Sequence, residues 1–143
     1  MKAGRASGFS LMEIMVALCV VVIVAGISVV SLNPAWQKRR LGFATEELRQ
    51  RFQTLRLKSI MAKRDHQAII QDKYVFFRHR ENEDWSDWEK TALNPTIKYS
   101  MKGTESFYSK GFASPKTITL TNGEYSQKII ININGRIRVS EIF

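Results

Sequence analysis

From Ile14 to Trp36 the chain runs for 23 residues without a charge. About 20 apolar residues carry a helix across a bilayer, so this run predicts a membrane helix. What remains outside it is one domain of ordinary size, which excludes a multidomain enzyme. A single carboxylate, Glu13, stands directly ahead of the run, and the chain begins with the short, basic, small-residue segment MKAGRASG. That segment reads as the amino-terminal region of an export signal. The apolar stretch is too long for a signal-peptide core of about 7 to 15 residues, and no small-x-small cleavage site closes it. A retained helix is expected.

The chain of 143 residues carries 22 Lys and Arg against 13 Asp and Glu, a formal net charge of +9. Residues 38 to 143 hold 20 of those cations and 12 of the acids, leaving +8 outside the membrane run. Such a basic domain favours polyanions, either nucleic acid or anionic lipid, without choosing between them. The lone cysteine, Cys19, lies in the apolar run and reads as a small hydrophobe, so no intrachain disulfide supports the fold. Orientation is left open by charge alone, because Lys2 and Arg5 precede the run while Lys38, Arg39 and Arg40 follow it. Pro34 removes a helical donor and predicts a kink or short break, after which the helix resumes.

Leu41, Ala44, Leu48, Phe52, Leu55, Ser59 and Ala62 recur at steps of three and four, an apolar stripe on one helical face. Arg49, Arg51, Arg56, Lys58, Lys63 and Arg64 lie off the stripe, where a solvated face is a simpler account than a polyanion site. Residues 9 to 64 therefore read as one helix, apolar in its first half and amphipathic in its second. Beyond Arg64 the pattern changes to β-branched and aromatic residues. A hairpin is expected from His66–Ile70 and Tyr74–Arg80, turning at Asp72 and Lys73. Glu81 to Lys90, with five acids and the tryptophans Trp85 and Trp88, reads as an exposed loop.

Two Asn-Gly pairs, Asn122-Gly123 and Asn134-Gly135, separate three predicted antiparallel strands near 117–121, 125–133 and 136–142. A two-residue first turn would pair Leu120 with Tyr125 and Ile118 with Gln127. At the second turn a three-residue loop with Gly135 as bulge glycine pairs Ile131 with Ile137 and Ile129 with Val139, keeping apolar residues together. The inner face then carries Ile118, Leu120, Tyr125, Ile129, Ile131, Ile137 and Val139, able to cover the helix stripe. Thr119, Thr121, Lys128, Asn132, Arg136 and Arg138 fall outside. Arg136 and Arg138 project from one side about 6.7 Å apart, the spacing of two strand rises, and with Lys128 they form a candidate phosphate-contacting surface. Equally, Gly135 could serve the bulge alone and the arginines could be ordinary solvated strand residues.

A carboxylate at bilayer depth costs on the order of 3 kcal/mol, so Glu13 needs a partner unless it is simply a helix-start acid favoured by the helix dipole. The sequence around it, GFSLMEIMVAL, resembles the prepilin signature of type IV pilins and type II secretion pseudopilins, with Met12 and Ile14 slightly off the commonest residues. That resemblance covers roughly residues 1 to 32. It implies an α+β, type IV pilin-like fold: a long amino-terminal transmembrane helix packed on an antiparallel sheet. It implies a leader at 1–8, a transmembrane and filament-core helix at 9–36, its amphipathic continuation at 37–64 and a periplasmic β-rich domain at 65–143.

By the same resemblance a prepilin peptidase would cut between Gly8 and Phe9 at the cytoplasmic face of the inner membrane and methylate the Phe9 amine. Glu13 would neutralise the amine of a neighbouring subunit as helices bundle into a filament. The partners implied are other pilin or pseudopilin subunits, the peptidase and the inner membrane.

Gly135-Arg136-Ile137-Arg138 is similar to a carboxyl-terminal segment of the GspH/FimT-type minor pilins. Some of those serve secretion, and related pilus subunits bind incoming DNA, so DNA contacted by Lys128, Arg136 and Arg138 is the alternative function. There is no carboxyl-terminal cysteine pair and no cluster of aspartates after residue 110, which fits a low-copy subunit better than a main repeating one. No enzyme, metal or cofactor is expected. His66 and His79 are the only histidines, and no zinc-ligand spacing, phosphate loop or nucleophile elbow accompanies them.

Overall fold

A computed structural model describes residues 10 to 143, with the side chains of 25 to 33 left out. The elements are α1 (Leu11–Ala62), β1 (His66–Gln71), β2 (Tyr74–Glu81), β3 (Asp84–Trp85), β4 (Glu89–Ala92), β5 (Lys98–Ser100), β6 (Glu105–Phe107), β7 (Lys116–Thr121), β8 (Ser126–Ile131) and β9 (Ile137–Val139). The expected helix is present, and its assignment continues through Pro34 without the break that proline predicts. Its carboxyl end falls two residues short of expectation, because Lys63 adopts φ +51°. The Lys63 amide donates to Ile60 and the Arg64 amide to Ser59, the paired bonds that close a helix through one left-handed residue. Among the described residues no helix is long and apolar enough to cross a membrane.

Contacts divide the chain into two units, one ending at Trp36 and the other Gln37–Phe143. Among the described residues every buried hydrophobic lies in the second unit, which thus has the core a part needs to fold by itself. Leu41, Ala44, Leu48, Phe52 and Leu55 of the predicted stripe are buried there, and Ser59 with them; Ala62 is exposed, being the last helical residue. Phe52 meets Phe107 of β6 with ring centroids 6.0 Å apart.

Two antiparallel sheets cover the stripe. In the first, β6, β1 and β2 lie side by side, and β3 and β4 both pair with the far edge of β2. In the second the order is β5-β7-β8-β9. The first hairpin turns at Asp72, φ +52°, as expected.

The segment 81 to 90 is not simply a loop. Pairing of Arg80 with Trp85 and of Phe77 with Glu89 leaves Arg78 and His79 facing three residues, Ser86, Asp87 and Trp88. This is one edge strand interrupted by a bulge, and its acids hide the strand pattern.

The second sheet keeps its expected faces but not its expected first register. Ile118 pairs with Ile129 and Leu120 with Gln127, two residues further along β8 than a two-residue turn would place them. Asn122 causes the longer loop: its Oδ1 accepts from the Tyr125 amide at 2.9 Å and its amide donates to the Tyr125 carbonyl at 3.2 Å. Because the shift is an even number of residues, the inner face is unchanged. Ile118, Leu120, Ile129 and Ile131 are buried, with Tyr125, Ile137 and Val139 packed partly against them. The second turn matches expectation, pairing Ile131 with Ile137 and Ile129 with Val139, with Gly135 at φ +70°.

Candidate assembly site and cationic sheet face

At the amino end, Ser10 caps α1. Its Oγ accepts from the Met12 amide at 3.3 Å, and its carbonyl accepts from the amides of Glu13 at 2.9 Å and Ile14 at 3.2 Å. Glu13 is thereby the third helical residue after a serine cap, the position where an acid faces the unsatisfied amides and positive dipole end of a helix. Its side chain is exposed. The predicted cleavage pair, Gly8 and Phe9, lies outside the described residues.

On the second sheet, the register places Lys128, Arg136 and Arg138 on the outer face, as the alternation predicts. Arg136 and Arg138 are exposed and make no ion pair among the described residues. Lys128 is half-buried, with Nζ 4.9 Å from the centre of the Phe143 ring. The sequence reading missed Lys98, which the pairing with Thr121 puts on the same face because β5 carries no recognisable period. No carboxylate occupies a paired position on this face.

Arg136 is held at the head of β9 by its neighbour across the turn. Its amide donates to Asn132 Oδ1 at 2.9 Å, and its carbonyl accepts from the Asn132 amide at 3.1 Å. Beneath the turn lies Arg56, which was read as one of several solvated helix cations. Its Nε donates to the Gly111 carbonyl at 3.1 Å and its Nη2 to the Asn134 carbonyl at 3.2 Å. A cleft of about 500 Å3 opens here, lined by Gln53, Arg56, Asn132, Asn134 and Arg136 among others.

The bulge in the first sheet has a geometric effect. Residues three apart on a regular strand face opposite ways, but one inserted residue brings Trp85 and Trp88 to the same face. The Arg78 guanidinium lies between them, 4.7 Å from one ring centre and 4.3 Å from the other, and its Nε donates to Gln67 Oε1 at 2.9 Å. His66 and His79 occupy the opposite face as a cross-strand pair with ring centres 5.8 Å apart. Burial holds the His66 imidazole below its ordinary range.

Glu105 on β6 is fully buried, and neither carboxylate oxygen has a hydrogen-bond partner. Burial pushes it up to about 8, against the attraction of Lys116. Lys116 Nζ is itself committed to the carbonyls of Lys102 and Thr104, each at 2.9 Å. Nothing in the local sequence marks Glu105 as buried.

A helix with an apolar stripe under two antiparallel sheets is the type IV pilin-like α+β fold. Solved structures agree on that architecture. The minor pseudopilin EpsH from the type 2 secretion system of Vibrio cholerae matches at 15% identity over 70% of this chain and 95% of its own, with a TM-score of 0.60. The type IV minor pilin FimU of Pseudomonas aeruginosa matches at 17% identity over 73% of this chain and 91% of its own, with a TM-score of 0.61. No protein-family model and no curated protein matches the sequence.

Proposed function

We propose that the chain is a minor pilin or pseudopilin subunit, a structural component rather than an enzyme. It is anchored by α1 in the bacterial inner membrane with its basic domain in the periplasm, and it is built into a type II secretion pseudopilus or a type IV pilus. The observation that carries this reading is the junction GFSLME at the head of a helix whose fold matches minor pilins and pseudopilins. From Leu11 to Val24 the apolar side chains of α1 are exposed in the single chain, so they need lipid or sister helices around them. Bundled helices replace lipid with equally apolar neighbours, a contact without direction. Glu13 meeting the Phe9 amine of an adjacent subunit, once prepilin peptidase has cut after Gly8, adds register to it.

Mass spectrometry of the membrane-extracted protein from cells holding a prepilin peptidase tests the processing step. The expected amino terminus is a methylated Phe9; an intact Met1 refutes the filament reading. Glu13→Ala is expected to abolish incorporation into filaments while leaving the chain in the membrane.

The outer face of the second sheet, which carries Lys98, Lys128, Arg136 and Arg138 and no carboxylate at a paired position, favours a second reading, in which the same subunit binds DNA for uptake. Lys128, Arg136 and Arg138 would contact phosphates, blind to base sequence and weakened by salt. The test is retardation of duplex DNA by the fragment Gln37–Phe143. Arg136→Gln with Arg138→Gln should weaken it and lower the salt slope by about 1 per lost phosphate contact. Unchanged retardation refutes the site.

A further inference from the structure

Arg56 braces the tip between β8 and β9, but bracing occupies only part of its guanidinium. Nε and Nη2 donate to the carbonyls of Gly111 and Asn134, and Nη1 makes no hydrogen bond among the described residues. Both partners are neutral, and among the described residues no carboxylate lies within ion-pair distance of Arg56. A half-buried guanidinium that has exchanged part of its water for carbonyl dipoles keeps a charge that an anion can answer. Gly135 fixes where that charge stands, since a side chain there would overlap Arg56.

Arg56 lines the cleft of about 500 Å3 together with Gln53, three residues earlier on α1, and Asn132, Asn134 and Arg136 of the tip. No lining residue is acidic. Asn132 Oδ1 is taken by the Arg136 amide, which leaves Nδ2 as the free donor of that side chain. The side-chain amides of Gln53 and Asn134 make no hydrogen bond among the described residues, and both residues are exposed. Two guanidiniums and three carboxamides, drawn from the helix, the turn and the head of β9, thus border one space.

The arrangement selects the ligand. Donors supplied from several elements suit a group that accepts around several oxygens, a phosphate rather than a planar carboxylate. A cleft of this size holds more than a lone ion, being in the range of about 300 to 1,000 Å3 that takes a ligand of several linked groups. Arg136 belongs also to the outer sheet face with Lys128 and Arg138, so an occupant with regularly repeated charges can meet all of these cations at once.

We propose that the cleft seats one backbone phosphate of DNA, held by Arg56 and Arg136, with Gln53 donating beside it. This rests on the DNA-binding reading above and extends that surface from the sheet face to a residue of α1.

Fluorescence anisotropy of a labelled duplex with the Gln37–Phe143 fragment, over a series of salt concentrations, tests it. Gln53→Glu sets a carboxylate next to Arg56 and is expected to weaken binding about tenfold. The thermal midpoint should stay unchanged, because Gln53 is exposed. Thr54→Glu makes the same change in net charge but lines a different cleft, beside His66 and Phe77, and is expected to weaken binding less than about twofold. Arg56→Gln should lower the salt slope by about 1, the loss of one phosphate contact. Equal weakening by Gln53→Glu and Thr54→Glu overturns the proposal, as does an unchanged slope in Arg56→Gln. If Arg56→Gln lowers the thermal midpoint, the two glutamate variants decide. Weakening by Arg136→Gln with Arg138→Gln but not by Gln53→Glu leaves the DNA reading standing and overturns the cleft; no binding by the wild-type fragment overturns both. Polyglutamate that displaces the duplex at a lower charge concentration than unlabelled duplex does overturns the proposal in favour of an acidic protein segment.

Discussion

The Arg56 guanidinium lies where a side chain on Gly135 would have to go. A Cβ built on Gly135 overlaps Arg56 Nε and the Gly111 carbonyl oxygen, and Gly135 sits at φ +70°, a conformation that side-chain-bearing residues resist. The glycine of the Gly-Arg-x-Arg segment is therefore required by packing, independently of any ligand.

Gly135→Ala should accordingly destabilise the domain by about 2 kcal/mol or more, since backbone strain and overlap act together. Gly123→Ala is the control: φ is +102° but the space around it is open, so only the strain of about 1 kcal/mol is expected. Urea unfolding of Gln37–Phe143 measures both.

Glu105 sets an alkaline limit on stability. Its carboxyl titrates near 4.5 in the unfolded chain and at about 8 in the fold, so the folded state holds the proton over that interval. Its contribution is fully present below pH 4.5, declines as pH rises and is gone above about pH 8. Glu105→Gln keeps the shape without the charge. It should raise stability above pH 8 by a few kcal/mol, change little near pH 4, and flatten the profile between them. A profile parallel to that of the wild type would show Glu105 to be hydrated in solution.

His66 acts at the other end. With its folded value held down by burial, the unfolded chain takes up a proton first, so stability falls as pH drops below about 6.5. His66→Phe should remove this acid loss, read as a smaller drop in melting temperature between neutral pH and pH 5.

Arg78 holds two indole rings across the bulged edge. Arg78→Ala should cost about 1 to 2 kcal/mol, from two cation–π contacts and the bond to Gln67, and should leave Trp88 more exposed. Thermal unfolding gives the first quantity and acrylamide quenching of tryptophan fluorescence the second.

Asn122 is predicted to control the first turn of the second sheet. Its Oδ1 serves the Tyr125 amide, and its Nδ2 donates to the Gln37 carbonyl at 3.1 Å. Asn122→Ala should cost about 1 to 2 kcal/mol by leaving these groups unpaired, measured in the same urea series as Gly135→Ala.

Much of the fold was legible because period and turn chemistry are local. The steps of three and four from Leu41 to Ser59 define a helical face, the alternation from Ile118 to Ile131 defines a sheet face, and Asn134-Gly135 selects a bulged turn that keeps isoleucines together. The same alternation placed Lys128, Arg136 and Arg138 on one outer face. At the first turn the residue pattern could not choose between registers two apart, since both present the same face; the Asn122 side chain decided.

What tertiary structure alone determined depends on residues far apart in the chain. Arg56 looks like a solvated helix cation until Gly111 and Asn134 turn their carbonyls toward it, and Glu105 looks like an ordinary strand acid until the surrounding sheet and core shut out water. The strand within 81 to 90 stayed hidden because a bulge breaks the alternation by which strands are recognised. Alternation and helical spacing are short-range consequences of backbone geometry, whereas burial, a carbonyl's orientation and the meeting of a loop with a helix end exist only once distant segments pack.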